Sequence, residues 1–101
     1  MSDKIGFTVK GLEDYDSWDR DPQLKKRIRQ LLRAAAADPF RGIGKPEPLR
    51  GRLAGHWSRR ITQEHRLLYF VAENGQVIVI GLSGSLRRLN GSVLGSRGNG
   101  D

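Results

Sequence analysis

The sequence predicts an α+β domain, two N-terminal helices packed on a small antiparallel sheet. Apolar residues recur at helical spacing only before residue 39. Between about 57 and 80 they alternate with polar residues or run in short apolar blocks, and a Gly- and Pro-rich link over residues 41–48 separates the two regimes. At 101 residues there is room for one modest core and none for a separate cofactor domain.

Residues 4–10 read as a short edge strand, because Ile5, Phe7 and Val9 alternate with Gly6, Thr8 and Lys10. A first helix follows over about 11–19, with Leu12, Tyr15 and Trp18 or Asp19 marking its faces. Asp21-Pro22 starts a second: the carboxylate can cap orphan amides, and a proline loses nothing at the first helical position. Leu24, Ile28, Leu31 and Ala35 repeat at helical spacing, which leaves Lys25, Lys26, Arg29 and Arg33 to the other faces. Asp38-Pro39 ends this helix, since a residue before proline is pushed out of the α region.

In the second half, Trp57, Arg59 and Ile61 alternate with Ser58, Arg60 and Thr62. Residues 66–71 are apolar and aromatic, and Glu73-Asn74-Gly75 is a hairpin turn signal before the strand at 77–80. From residue 81 the chain turns to Gly, Ser and Arg. The domain is therefore expected to span 1–86, with 87–101 a disordered tail.

Eighteen Lys and Arg against eleven Asp and Glu give a net charge of +7. Residues 41–66 hold seven of the cations (Arg41, Lys45, Arg50, Arg52, Arg59, Arg60, Arg66) and two acids (Glu47, Glu64). A polyanion partner is expected, nucleic acid and anionic membrane being the usual candidates, and the predominance of arginine leans toward phosphate because its planar fork binds phosphate oxygens bidentately. The basic second helix is not followed by a turn and recognition helix, which disfavours a DNA-binding module. No cysteine is present and the two histidines lack ligand spacing, so neither disulfides nor a metal site is expected, and no cofactor. No apolar run suits a membrane span or a signal peptide, and a cytoplasmic location is expected.

Pro39-Phe40, Gly42, Gly44-Lys45-Pro46-Glu47-Pro48-Leu49, Trp57-Ser58-Arg59-Arg60-Ile61 and Glu64-His65-Arg66-Leu67 followed by Tyr69 resemble the YoeB/Txe branch of the RelE toxin superfamily. Asp14-Tyr15, Trp18 and the basic second helix fit it too, and the resemblance covers roughly residues 5–80. It implies a RelE-like microbial ribonuclease fold and a homodimeric toxin that cuts mRNA in the A site of the 70S ribosome. It also implies silencing by a YefM-like antitoxin.

Metal-free RNA cleavage needs a base for the 2'-hydroxyl proton, cations for the charge on the phosphorane-like transition state, and an acid for the leaving 5'-oxygen. Glu47, the only carboxylate of the loop, matches the family's catalytic base. Arg66 matches its transition-state arginine and Arg60 a second one, while Arg50 stands where the family commonly has a lysine near the scissile phosphate. Lys45, Arg52 and Arg59 are assigned to general backbone contacts. His65 neighbours Arg66 on a strand, so the two point to opposite faces and His65 is read as structural. Trp57 and Tyr69 are read as core rather than as base-stacking platforms.

The family ends in a pattern like Cys-Arg-x-His-Tyr, whose histidine is the general acid. Here that stretch is Gly81-Leu82-Ser83-Gly84-Ser85-Leu86, and neither residue type occurs after Tyr69. A frameshift explains this. Residues 81–90 can be encoded by GGC CTG TCG GGG TCA CTA CGA CGA CTG AAC, one choice among the synonymous codons, and that string read one base later gives Ala-Cys-Arg-Gly-His-Tyr-Asp-Asp-stop. Histidine then falls at the position of Ser85 and tyrosine at that of Leu86, and this copy is expected to cleave RNA poorly. A natural divergent C-terminus is the simpler account, and a non-catalytic scaffold that binds antitoxin and ribosome is the alternative function.

Overall fold

The computed structural model describes residues 4–82, so Ser85 and the expected tail lie outside the described residues. Strand β1 (Ile5–Phe7) leads into helix α1 (Val9–Ser17), which begins two residues earlier than expected because Thr8 caps it. Thr8 Oγ1 accepts from the Gly11 amide at 3.0 Å. A short 3-10 turn (Trp18–Arg20) precedes α2 (Pro22–Ala37), capped as expected by Asp21, whose Oδ1 accepts from the Leu24 amide at 3.2 Å. Asp38 is extended ahead of Pro39 and ends the helix. Strand β2 (Glu47–Pro48), a 3-10 turn (Gly51–Leu53) and strands β3 (His56–Arg60), β4 (Arg66–Val71) and β5 (Val77–Gly81) follow.

The strands form one sheet in the order β1-β5-β4-β3-β2. The run from β2 to β5 is antiparallel, as expected of strands joined by short turns, but β1 pairs with β5 in parallel, Ile5 opposite Val77 and Phe7 opposite Val79. The sheet is therefore mixed. A parallel neighbour needs a long crossover, and here everything from α1 to β4 supplies it. A bulge between Leu68 and Tyr69 skips Ile80, since Leu68 faces Gly81 while Tyr69 faces Val79.

The core lies between α2 and one face of the sheet. Ile28, Leu31, Leu32 and Ala35 of α2 are buried against Leu67, Tyr69, Val77 and Val79, at about 1.5–3 kcal/mol for each large apolar side chain. Helix α1 lies almost directly on β5: a Cβ at Gly11 would stand 2.2 Å from the Val79 carbonyl oxygen, so only glycine fits. The end of β5 is held by two side chains. Asp14 Oδ2 accepts from the Leu82 amide at 3.1 Å, and the Trp18 indole donates to the Leu82 carbonyl at 3.0 Å. Lys25 does not reach solvent as the helical pattern suggests. Its ammonium, buried, lies over the Tyr15 ring and donates to the Tyr15 carbonyl and to Asp19.

The loop between α2 and β2 is organised by Arg59, whose side chain is 0% exposed. Its Nε donates to Tyr69 Oη at 3.0 Å, Nη1 to the Ile43 carbonyl at 3.0 Å, and Nη2 to the carbonyls of Asp38 and Arg41 at 2.6 and 2.8 Å. Tyr69 Oη in turn donates to the Pro39 carbonyl at 2.6 Å. Close by, Gly44 adopts φ +85 against Leu31, where a Cβ would come within 2.6 Å of Leu31 Cδ2. Its carbonyl accepts from the Arg60 amide at 2.7 Å.

Burial raises the Tyr69 phenol above its ordinary pKa of 10.0, and the hydrogen bond from Arg59 only partly offsets this. Above pH 10 the unfolded chain loses this proton while the folded chain keeps it, so rising pH favours unfolding. Denaturant titrations at pH 7 and in steps from pH 9 to 11 test two consequences for Tyr69→Phe. At neutral pH the variant loses about 1–3 kcal/mol, because Arg59 Nε and the Pro39 carbonyl lose their partner. Above pH 10 its stability falls less steeply than the parent's.

Candidate active site

Strand β3 divides its side chains between two faces, as the period of two requires. Trp57 and Arg59 point to the helix side, Trp57 packing on the core and on the Phe40 ring at 4.9 Å between centroids. Ser58 and Arg60 point to the face the helices leave open, and the neighbouring strands bring residues to the same face. Glu47 of β2 stands opposite Ser58, and Arg66 of β4 stands opposite Arg60. Glu47 and Arg66 meet across β3, with Arg66 Nη1 3.6 Å from Glu47 Oε1. The carboxylate side is 56% exposed and the guanidinium side 18%, so the acid is open to a ligand while the arginine is held from below.

Of the sequence-predicted residues, Glu47, Arg66 and Arg60 thus share one face, with the first two in an ion pair. Lys45 and Arg50, both exposed, flank Glu47 in the chain, Lys45 with φ 50 at the end of the glycine loop and Arg50 at the start of the second 3-10 turn. Arg59 is the correction. Expected to contact phosphate, it is sealed on the opposite face, and four of its five N–H donors are taken by the loop carbonyls and Tyr69. The signal was in the pattern, since Trp57, read as core, shares its parity. Ser58 was missed by the same oversight, for it shares the parity of Arg60 and lies wholly buried beneath the ion pair.

His65 turns away from this face. Its ring meets Trp18 edge-on at 4.9 Å, and its carbonyl accepts from the amides of Ile61 and Thr62, closing the turn that joins β3 to β4. His56 stacks edge-on against Phe70 and sits 3.2 Å from the Leu53 carbonyl. No hydrogen bond or ion pair among the described residues joins either ring to Glu47 or Arg66. Among the described residues no cluster of His, Cys, Asp and Glu could hold a metal, and no helix is long and apolar enough to cross a membrane.

Comparison with known proteins agrees with this architecture. The family model of the YoeB-like toxin of bacterial type II toxin-antitoxin systems matches residues 7–83. Toxin YoeB of Streptomyces coelicolor is 51% identical over 77 residues, covering 75% of this chain and 92% of that one. Toxin YoeB of Escherichia coli K12 is 42% identical over 76 residues, covering 74% and 90%. Among solved structures, a YoeB/ParE toxin from Agrobacterium tumefaciens superposes with a TM-score of 0.76 at 43% identity, over 80% of this chain and 96% of that one. A YoeB dimer from Staphylococcus aureus does so at 0.72 with 35% identity, over 79% and 93%. The YoeB of a YoeB-YefM complex from the same organism gives 0.72 at 36% identity, over 78% and 92%. With the family model covering most of the chain and a shared fold beneath it, this chain belongs to the YoeB family of type II toxins.

Proposed function

We propose that this toxin is a ribosome-dependent mRNA endonuclease whose reactive groups are Glu47, Arg66 and Arg60. The observation that carries the reading is the Glu47–Arg66 pair on the open face, a carboxylate that can take a proton beside a guanidinium that can take phosphate charge. Glu47 removes the proton from the 2'-hydroxyl. The freed oxygen attacks the adjacent phosphorus, the bond from phosphorus to the 5'-oxygen breaks, that oxygen takes a proton from water, and a 2',3'-cyclic phosphate is left on the upstream fragment. Arg66 and Arg60 neutralise the extra charge on the phosphoryl oxygens as it develops, and Lys45 and Arg50 hold the neighbouring backbone.

The solved YoeB-YefM complex and YoeB dimer support two further parts of this reading: a YefM-like antitoxin as silencing partner and a homodimer as the working form. The ribosome and its mRNA are the substrate assembly, which makes the cytoplasm the site of action.

The chain carries no histidine after His65 and no tyrosine after Tyr69, so the leaving 5'-oxygen lacks the donor that the family ending supplies. This favours a weakened enzyme, and, as second reading, a scaffold that binds antitoxin and ribosome without cutting.

Cleavage of a short mRNA on programmed ribosomes separates the two. The Ser85→His, Leu86→Tyr chain, truncated soon afterwards, is expected to cut at least about 100-fold faster than the parent, the scale of a restored general acid. If neither chain cuts, the scaffold reading stands. In the restored chain Glu47→Ala is expected to lower the single-turnover rate by about 100-fold or more while a YefM-like antitoxin binds as before. A Glu47→Ala chain as fast as its parent removes Glu47 from the chemistry.

A further inference from the structure

Glu47 and Arg66 belong to strands that are not neighbours. Strand β3 lies between them, and two interstrand steps of about 4.8 Å must be bridged by side chains alone. The register makes the bridge oblique. Glu47 stands opposite Ser58, whose partner on β4 is Leu68, and Arg66 lies two residues before Leu68 on the same face. The guanidinium therefore reaches diagonally across β3, and the residue beneath its path is Ser58.

Ser58 suits that place in two ways. It is small, so the long side chain can pass over it; and it is wholly buried, so its hydroxyl is shielded from bulk water. Arg66 Nη1 donates to Ser58 Oγ at 3.5 Å while standing 3.6 Å from Glu47 Oε1. One nitrogen thus sits between hydroxyl and carboxylate. Among the described residues Nε and Nη2 make no hydrogen bond, and they are the edge of the guanidinium that fits two oxygens of one phosphate.

We propose that Ser58 is a positioning residue for Arg66: its hydroxyl anchors Nη1, so that the Nε–Nη2 edge is turned outward to receive the scissile phosphate. This rests on the endonuclease reading for its catalytic consequence, but the anchoring is a property of the free protein. When the phosphate arrives, Glu47 can leave Arg66 to act as base without releasing the arginine, because the serine still holds it. Without the hydroxyl, Glu47 is the only group among the described residues left holding Nη1, and the arginine is freed whenever the carboxylate turns to the substrate.

The test has two arms. In the first, NMR follows rotation of the Arg66 guanidinium through its Nε–Hε and Nη signals, assigned with Arg66→Lys, in the parent, Ser58→Ala and Ser58→Cys. Cysteine nearly matches serine in volume but accepts a hydrogen bond poorly, so it separates anchoring from filling. Faster rotation in both variants than in the parent is the expected result. Equal rotation in parent and Ser58→Ala overturns the proposal, and so does a Ser58→Cys chain that matches the parent while Ser58→Ala does not.

In the second arm the same variants are made in the Ser85→His, Leu86→Tyr chain and assayed on programmed ribosomes. The expected loss is about fivefold to tenfold in the single-turnover rate, the worth of one hydrogen bond, at unchanged half-saturating ribosome concentration. A loss confined to ribosome affinity counts against the positioning role. If cleavage depends on Glu47 but rotation and rate ignore Ser58, the proposal alone falls. If no chain cuts while rotation still depends on Ser58, the endonuclease reading falls and the anchoring stands.

Discussion

The positive charge of Arg59 is buried in this small domain with no ion-pair carboxylate among the described residues. The guanidinium of Arg59 is compensated instead by the carbonyls of Asp38, Arg41 and Ile43 and by the phenol of Tyr69. An ion removed from water must find such partners or destabilise the fold, so the loop has little choice of path. Its carbonyls have to converge on one point. The glycines at 42 and 44, both at positive φ, let the backbone make the turns that this convergence demands. Glu47 leaves the loop at a fixed height beside β3, and the face that carries Glu47, Arg60 and Arg66 is in this sense organised from behind.

The same strand serves both purposes because its side chains alternate. One step along β3 exchanges a saturated, inaccessible arginine for an exposed one, with the serine beneath the ion pair on the step before. Charge near a surface cation therefore says little about role, and parity says much. A shift of one residue in the register of β3 would carry Arg59 and Trp57 together from the helix side to the open face.

Much of this was legible in the chain. Asp21-Pro22 and Asp38-Pro39 bracket α2 because capping and the constraint before proline are local effects, and the alternation at 57–62 with the turn at 73–75 marks the hairpins for the same reason. The candidate site could be assembled because Glu47, Arg60 and Arg66 sit in recognisable motifs, and the structure puts them on one face. What escaped was non-local. The parallel pairing of Ile5 with Val77 leaves no trace in either segment's own pattern. Lys25 reads as solvent-facing until Tyr15 and Asp19 close over it, and Arg59 reads as a phosphate ligand until the loop carbonyls do. In both cases the compensating groups come from elsewhere in the chain, where composition cannot see them.

The pairing of β1 with β5 also sets the order in which the fold can be completed. Among the described residues, 5–7 find their only strand partner at 77–79, and α1 rests on that same strand through Gly11. During synthesis the helices and the β3–β4 hairpin can form from contacts already made, whereas the N-terminal strand must wait until the last strand has left the exit tunnel. Closing so long a loop delays only the final docking, because its entropy grows slowly with length. A nascent copy therefore leaves its first strand unpaired until residues 77–79 have emerged from the ribosome.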